Sequence, residues 1–396
     1  MGLGYIGLPT AAVVAGAGIP VVGVDANPQV VETVNRGGIH IKEPGLGELV
    51  KTVVGNGLLR ASGKPEEADV FLIVVPTPFK QNHRADTSFV ESATRAVIPF
   101  LRPGNLFIIE STSPVLTTER MAALIFGERP ELEGEIAVAY CPERVLPGKV
   151  LHELVHNDRV IGGIDRASSE AAAGFYARFV KGELHRTTAR TAEMCKLTEN
   201  SSRDVQIAFA NELSIICAEA RINVWELIEL ANKHPRVNIL QPGSGVGGHC
   251  IAVDPWFIVS EFPDQAKIIQ RARETNDYKA DWCADRILDA CTAFEERTDR
   301  EPVVACMGLA FKPDIDDLRE SPSLYIASRV IAESRADVLV VEPNISAHKS
   351  FRLTDYREAY EKADIVAFLT GHREFKTLVY DDHRTILDFC GVFKKQ

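Results

Sequence analysis

Cys250 closes a stretch from Pro242 to Pro255 that reads PGSGVGGHCIAVDP, with Gly243, Gly245, Gly247 and Gly248 ahead of it and Asp254 four residues after it. Glycines at this density let a backbone take positive φ and come close to a ligand. A thiol at the end of such a loop is placed to react, and its thiolate can add to a carbonyl carbon. Upstream, Met194, Leu197, Val205, Phe209, Leu213 and Ile216 recur at helical spacing, which predicts one long helix over Thr191 to about Ala220. Lys196 and Asn200 stand four apart on it and project from one face, between apolar neighbours. The working expectation is that Cys250 is a covalent nucleophile.

The cofactor site is read from the N-terminus. Gly2, Gly4, Tyr5, Ile6 and Gly7 lie in the turn GLGYIG, followed by a predicted helix over Leu8 to Ala17 and a strand over Pro20 to Val24. The glycines admit a pyrophosphate, and the helix N-terminus stabilises its charge. Asp25, 18 residues after Gly7, is placed for a ribose 2′-hydroxyl and repels a 2′-phosphate, so NAD is expected over NADP. The strand that ordinarily precedes these glycines is missing, because Gly2 follows Met1 directly. Either the true start lies upstream or the N-terminus was cut, and without that strand the sheet is expected to lose a central member.

The elements that must position these groups follow in order. Ala68 to Val75, Leu106 to Glu110 and Ile136 to Tyr140 are apolar runs of the kind buried on both faces of a parallel sheet. Ligands sit at the carboxyl ends of such strands, which makes Thr77 and Thr112 candidate cofactor contacts and aims Glu143 and Arg144 at the same crevice. Ordinary turn and cap chemistry is the alternative for either threonine. After helices reaching about Glu296, the last hundred residues repeat the strand–helix pattern, with strands over Val303 to Phe311 and Asp337 to Val341 and a helix over Ser323 to Ser334. The turn there reads GLAFKPDIDDLRES, without the dinucleotide spacing, so Lys312 and Arg319 are candidates for a different phosphate.

Composition narrows the class. The chain of 396 residues, with 45% hydrophobic and 25% charged residues, is that of a globular protein of more than one domain. A net charge of -11 argues against nonspecific nucleic-acid binding, which needs a basic field. The 8 cysteines form no CxxC pair, so free thiols, a cytoplasmic location and no metal are expected. Met1 to Val24 lacks charge, yet its glycines and prolines and the missing basic flank argue against a leader or membrane segment. The expected fold class is α/β: two Rossmann-like doubly wound parallel-sheet domains, 1–185 and 297–396, joined by a long helical segment, 186–296, that mediates dimerisation.

Taken together, GLGYIG with Asp25, VPTP at 75–78, ESTSP at 110–114, CPER at 141–144, KLTEN at 196–200, GVGGHC at 245–250 with Asp254, and FKPDIDDLRES at 311–321 resemble the UDP-glucose/GDP-mannose dehydrogenase family over essentially the whole chain. The resemblance implies oxidation of the C6 alcohol of a UDP-sugar to a carboxylate with two NAD⁺, through a thiohemiacetal and thioester on Cys250. It implies that Lys196 and Asn200 stabilise the oxyanion, that Asp254 positions water and moves protons, and that Glu143 serves the thioester steps. Thr112 would lie near the nicotinamide and Arg319 near the cofactor. Arg144, Gly247 and Lys312 would contact substrate, and Arg236 would reach substrate in the neighbouring subunit of a homodimer. Val253 stands where UDP-glucose enzymes carry a lysine, which favours an N-acetyl sugar. UDP-N-acetyl-D-mannosamine is the expected substrate, for surface polysaccharide synthesis, with UDP-N-acetylglucosamine and UDP-glucose as alternatives.

Overall fold

Short apolar strands alternating with helices give parallel sheets in both halves of this chain. The computed structural model describes residues 1–80, 84–146 and 148–393. It divides into two compact units, Met1–Glu199 and Asn200–Gln396. The stretch 186–296, expected as a separate helical segment, falls partly in each, because the helix bearing Lys196 and Asn200 runs across the division.

The first unit opens with α1 (Gly7–Gly16), β1 (Val21–Val24), α2 (Pro28–Asn35), α3 (Leu46–Gly55) and β2 (Leu59–Ser62). It continues through β3 (Val70–Ile73), α4 (Ser88–Val97), β4 (Leu106–Ile109), α5 (Thr117–Glu128) and β5 (Ala137–Tyr140). Then come α6 (Val150–His156), β6 (Arg159–Gly163), α7 (Arg166–Tyr176), β7 (Leu184–Thr188) and the start of α8 (Ala189–Ala220). Helix starts are chemically marked: Asn27 caps α2 ahead of Pro28, and Asp165 caps α7. β4 is buried along its whole length, as an apolar strand covered on both faces must be. Phe107, Ile109, Val138 and Tyr140 form the core beneath α4 and α5.

β1 pairs with β2, and β3 to β7 form a second sheet in chain order. All pairs are parallel except β5 with β6, which sequence reading did not anticipate. Met1 and Gly2 hydrogen-bond to both sheets. Gly2 N donates to Val24 O (2.7 Å), the Met1 amino group to Leu72 O (2.8 Å), and Val74 N to Met1 O (2.8 Å). Among the described residues no strand lies between β1 and β3, and these two residues link them.

The second unit holds α9 (Val224–Ala231), α10 (Asp254–Glu261), α11 (Lys267–Thr298), β8 (Val303–Met307) and α12 (Pro322–Glu333). β9 (Asp337–Val341), α13 (Tyr356–Lys362), β10 (Ile365–Phe368) and β11 (Thr385–Asp388) complete it. Its sheet is wholly parallel in the order β11-β10-β8-β9. Cys283 and Ile287 of α11 pack with Val304, Cys306 and Ile326, so the helix after the cysteine loop belongs to the C-terminal core. The strand expected to reach Phe311 stops at Met307, where Gly308 turns the chain at φ +98°. No described helix is long and apolar enough to cross a membrane.

Candidate active site

The N-terminal turn shows which glycines serve the fold and which one faces open space. Gly2 takes φ +88°, and a Cβ on it would come within 2.5 Å of Val74 O. A Cβ on Gly7 would collide with Gly2 O. Gly4 is exposed and a Cβ there would meet nothing within 4 Å, so it is the position open to a phosphate beside the N-terminus of α1. Tyr5, also exposed, and Ile6 complete the turn. Asp25 fastens it to the end of β1: Oδ2 accepts from Leu3 N and Oδ1 from Asn27 N, both at 2.9 Å. Its carboxylate stays partly exposed, where a ribose hydroxyl would approach. An open glycine, a helix N-terminus and an acid at the strand end fit NAD.

Two further expected contacts come together at the carboxyl ends of β3 and β4. Thr77 Oγ1 donates to Thr112 O at 2.6 Å, and Ser111 Oγ donates to Val75 O at 2.7 Å. After β5, Glu143 is buried: Oε1 accepts from Arg144 N (2.6 Å), and Oε2 lies 3.3 Å from Arg159 Nη1. Arg144 pairs with Glu199 at 3.2 Å. Lys196 is half-buried on α8.

In the second unit, α8 and the cysteine loop meet directly. Asn200 Nδ2 donates to Asp254 Oδ2 at 2.5 Å. Asp254 is buried in the first turn of α10, where the helix end favours negative charge, and its backbone N–H donates to Cys250 O at 2.8 Å. The turn therefore brings Cys250, Asp254 and Asn200 into one connected group.

The glycines of this loop approach the protein rather than open space. Gly248 sits at φ +85°, and a Cβ on it would lie 2.9 Å from the Phe311 ring. A Cβ on Gly247 would strike Glu320 O, and one on Gly245 would lie 2.8 Å from Pro322. Gly248 N donates to Arg319 O at 3.1 Å. The loop is thus pressed against 311–322, the segment carrying Lys312 and Arg319. Lys312 is exposed, and the Arg319 guanidinium is held by Asp317 at 2.7 Å. Arg236 is exposed after α9. A cavity of about 840 Å³ opens beside the loop, lined by Pro242, Ser244, Phe311, Thr370 and Lys376 among others.

Sequence reasoning missed the residues that hold this arrangement. Asn211 Oδ1 accepts from Gly243 N and its Nδ2 donates to Asn276 Oδ1, both at 2.9 Å, while Asn276 Nδ2 donates to Asp204 Oδ1 at 2.8 Å. Polar residues at buried positions of long helices were the available signal. Glu342 stands just after β9, where the sequence alone gives it no role. It repeats the bonding of Asp25, accepting from Leu309 N and Ala310 N, both at 2.8 Å, and its Oε2 lies 3.0 Å from His372 Nε2. Burial alone would raise this carboxyl, but the His372 contact and the backbone donors hold it down at about 2. Glu342 is buried where Asp25 is open, so the second sheet keeps the internal bonding of a dinucleotide turn without the exposed acid.

A dinucleotide turn with its ribose acid, on a Rossmann-like α/β scaffold, defines an NAD-dependent dehydrogenase. Family descriptions match in three parts: the UDP-glucose/GDP-mannose dehydrogenase NAD binding domain over residues 1–180, the central domain over 190–278 and the UDP binding domain over 305–395. The chain belongs to that family. It is 54% identical over 413 residues to a UDP-N-acetyl-D-mannosamine dehydrogenase from Yersinia pestis, covering 100% of this chain and 98% of the relative. It is 52% identical over 407 residues to an NDP-N-acetyl-D-galactosaminuronic acid dehydrogenase from Ralstonia nicotianae, covering 99% and 95%. A solved UDP-D-ManNAc dehydrogenase from Pyrococcus horikoshii superposes with TM-score 0.88 at 37% identity, covering 100% of this chain and 95% of that one.

Proposed function

We propose that this protein oxidises the C6 alcohol of UDP-N-acetyl-D-mannosamine to the uronate, with Cys250 holding the intermediate. The observation that carries this reading is the hydrogen-bonded unit of Asn200, Asp254 and the Cys250 turn, in a chain whose full-length relatives include UDP-N-acetyl-D-mannosamine dehydrogenases. NAD⁺, when bound, accepts the hydride released from C6 in each of two oxidations. The Cys250 thiolate adds to the aldehyde left by the first, forming a C–S bond while the carbonyl oxygen takes up a proton. Lys196 and Asn200 stabilise that oxygen as it becomes anionic. Loss of the second hydride leaves a thioester on sulfur. Asp254 and Glu143 then orient water and take its proton, the C–S bond breaks, and the thiol is restored.

The cavity beside Pro242 and Ser244 would take the nucleotide part of the substrate, with Lys376 of its lining, and the exposed Lys312 between the lining residues Phe311 and Pro313, as cations for the phosphates. Homodimerisation through the central helices is supported by Phe209 and Ile216, 50% and 55% exposed and seven residues apart on α8, one face of the helix. We place the reaction in the cytoplasm, with the uronate passing to surface polysaccharide assembly. A second reading, the same chemistry on an N-acetylgalactosamine nucleotide, is favoured by the Ralstonia relative, at 52% identity against 54% for the Yersinia one.

NADH formation at saturating NAD⁺ tests both readings, with UDP-N-acetylmannosamine, UDP-N-acetylgalactosamine, UDP-N-acetylglucosamine and UDP-glucose compared. Two NADH per sugar are expected with the first, and Cys250→Ala should abolish uronate formation. Uronate made at the parent rate by Cys250→Ala would overturn the covalent step. Turnover of another sugar alone would overturn the substrate assignment.

A further inference from the structure

The first unit buries a charge cluster that the dinucleotide turn does not use. Glu110 follows β4, Glu143 follows β5 and Arg159 opens β6. Arg159 Nη1 stands 3.3 Å from Glu143 Oε2 and 3.9 Å from Glu110 Oε1, and the three side chains are 4%, 10% and 0% exposed in that order. The reversed strand explains the meeting. β5 and β6 pair antiparallel with Tyr140 opposite Gly162. Continuing that register, three residues beyond Tyr140 is Glu143, and three before Gly162 is Arg159.

Tyr176 of α7 completes the cluster. Its hydroxyl donates to Glu110 Oε1 at 2.6 Å, and its ring centre lies 5.2 Å from the Arg159 guanidinium carbon. Arg159 Nη2 also donates to Leu154 O at 3.3 Å. Glu110 Oε2 is buried without a hydrogen-bond partner. One guanidinium thus faces two carboxylates where water cannot screen them, and an ionised Glu110 would leave a bare oxygen in a dry site.

We infer that Glu110, Arg159 and Tyr176 form a buried proton-holding unit that positions Glu143, with Glu110 carrying the proton so that the guanidinium is directed to Glu143 alone. This rests on the reading of Glu143 given above. Burial pushes the Glu110 carboxyl up to about 7, against the pull of Arg159. The other titratable groups facing it leave that proton in place. Burial pushes the Cys141 thiol up to about 12 and the Tyr176 hydroxyl well above its usual range, so both stay neutral. The Met1 amino group also faces Glu110 and when charged opposes that proton, but burial pushes it down to about 6, so it is largely neutral near pH 7. As pH rises through about 7, Glu110 ionises and competes with Glu143 for the one guanidinium.

Infrared difference spectroscopy over a pH titration of the full chain reads this directly. The parent should show an un-ionised carboxyl band that fades as pH rises through about 7, and Glu110→Gln should lack it. In single-turnover assays, thioester hydrolysis by the parent should slow several-fold over the same interval, and Glu110→Gln should not. If Glu110→Gln does not fold, Tyr176→Phe serves instead: losing the hydroxyl donor should move the midpoint of the same band upward. A band unchanged in Glu110→Gln, or a midpoint unmoved in Tyr176→Phe, overturns the inference. Normal turnover by Glu143→Gln would instead overturn the role of Glu143, whatever the spectra show.

Discussion

Replacing Glu342 with glutamine tests whether the acid after β9 works for the fold. Its folded carboxyl lies at about 2 against an ordinary 4.5, held there by His372 and backbone donors although burial opposes it. At about 1.4 kcal/mol for each tenfold in acidity, that difference is worth roughly 3 kcal/mol, and the hydrogen bonds a glutamine oxygen can still accept bring a working figure to about 2 kcal/mol. A depressed carboxyl contributes this stability in full above 4.5 and loses it as pH falls toward 2. Glutamine keeps only one acceptor oxygen, so its NH₂ would face either the Leu309 and Ala310 donors or those of Asn344, leaving N–H groups unpaired in both orientations. Urea unfolding at pH 7 should therefore show Glu342→Gln less stable by about 2 kcal/mol, a loss of roughly 4–8 °C in Tm for a unit of this size. Repeating the comparison at lower pH should shrink the gap steadily below 4.5. Equal stability at pH 7, or a gap that persists undiminished near pH 2, would refute the electrostatic account.

Gly248→Ala should cost roughly 1–2 kcal/mol for an L side chain at positive φ, beyond the displacement of the Phe311 ring, and it should lower kcat more than it lowers Tm. Stopped-flow NADH formation beside a thermal melt checks this, and an unaltered kcat would contradict the packing argument. Lys279, 1% exposed, is pushed down from 10.5 to about 8 by burial, with Ser214 Oγ at 2.8 Å and the Trp282 ring at 3.8 Å as partners. Burying its charge costs roughly 3 kcal/mol below pH 8, offset by about 2 kcal/mol from those two contacts. Lys279→Met should consequently stabilise the protein by about 1 kcal/mol at pH 7, with the gain vanishing as pH rises from 8 toward 10.5. Chemical denaturation at pH 7 and pH 10 measures it, and destabilisation at pH 7 would reverse the balance argued here.

What sequence discloses here is local. The period of Leu197, Val205 and Leu213 gives α8 nearly to the residue, and the distance from Gly7 to Asp25 gives the NAD turn, because both depend on neighbours within one element or one βαβ unit. The parallel sheets follow from apolar runs such as Leu106–Ile109. What escaped depends on distant partners. Gly247 and Gly248 were read as letting the backbone approach a ligand, and the packing that also bars a side chain there, against Phe311, Glu320 and Pro322, comes from far along the chain. Asn211 and Asn276 are ordinary helix residues until the fold brings Gly243 to them. The direction of β6 was illegible, since a short run such as Arg159–Gly163 pairs equally well either way.

That reversed strand settles where an arginine can be supplied. In an all-parallel sheet every strand presents its last residues to the rim where ligands gather, and first residues face the opposite rim. Turning β6 around, with β7 running alongside it, delivers an opening residue to the ligand rim, anchored by a ladder of backbone bonds instead of by a connecting loop. The ladder, rather than the segment between 144 and 158, then sets where the Arg159 backbone stands, and that segment adds only the Leu154 carbonyl to the guanidinium's partners.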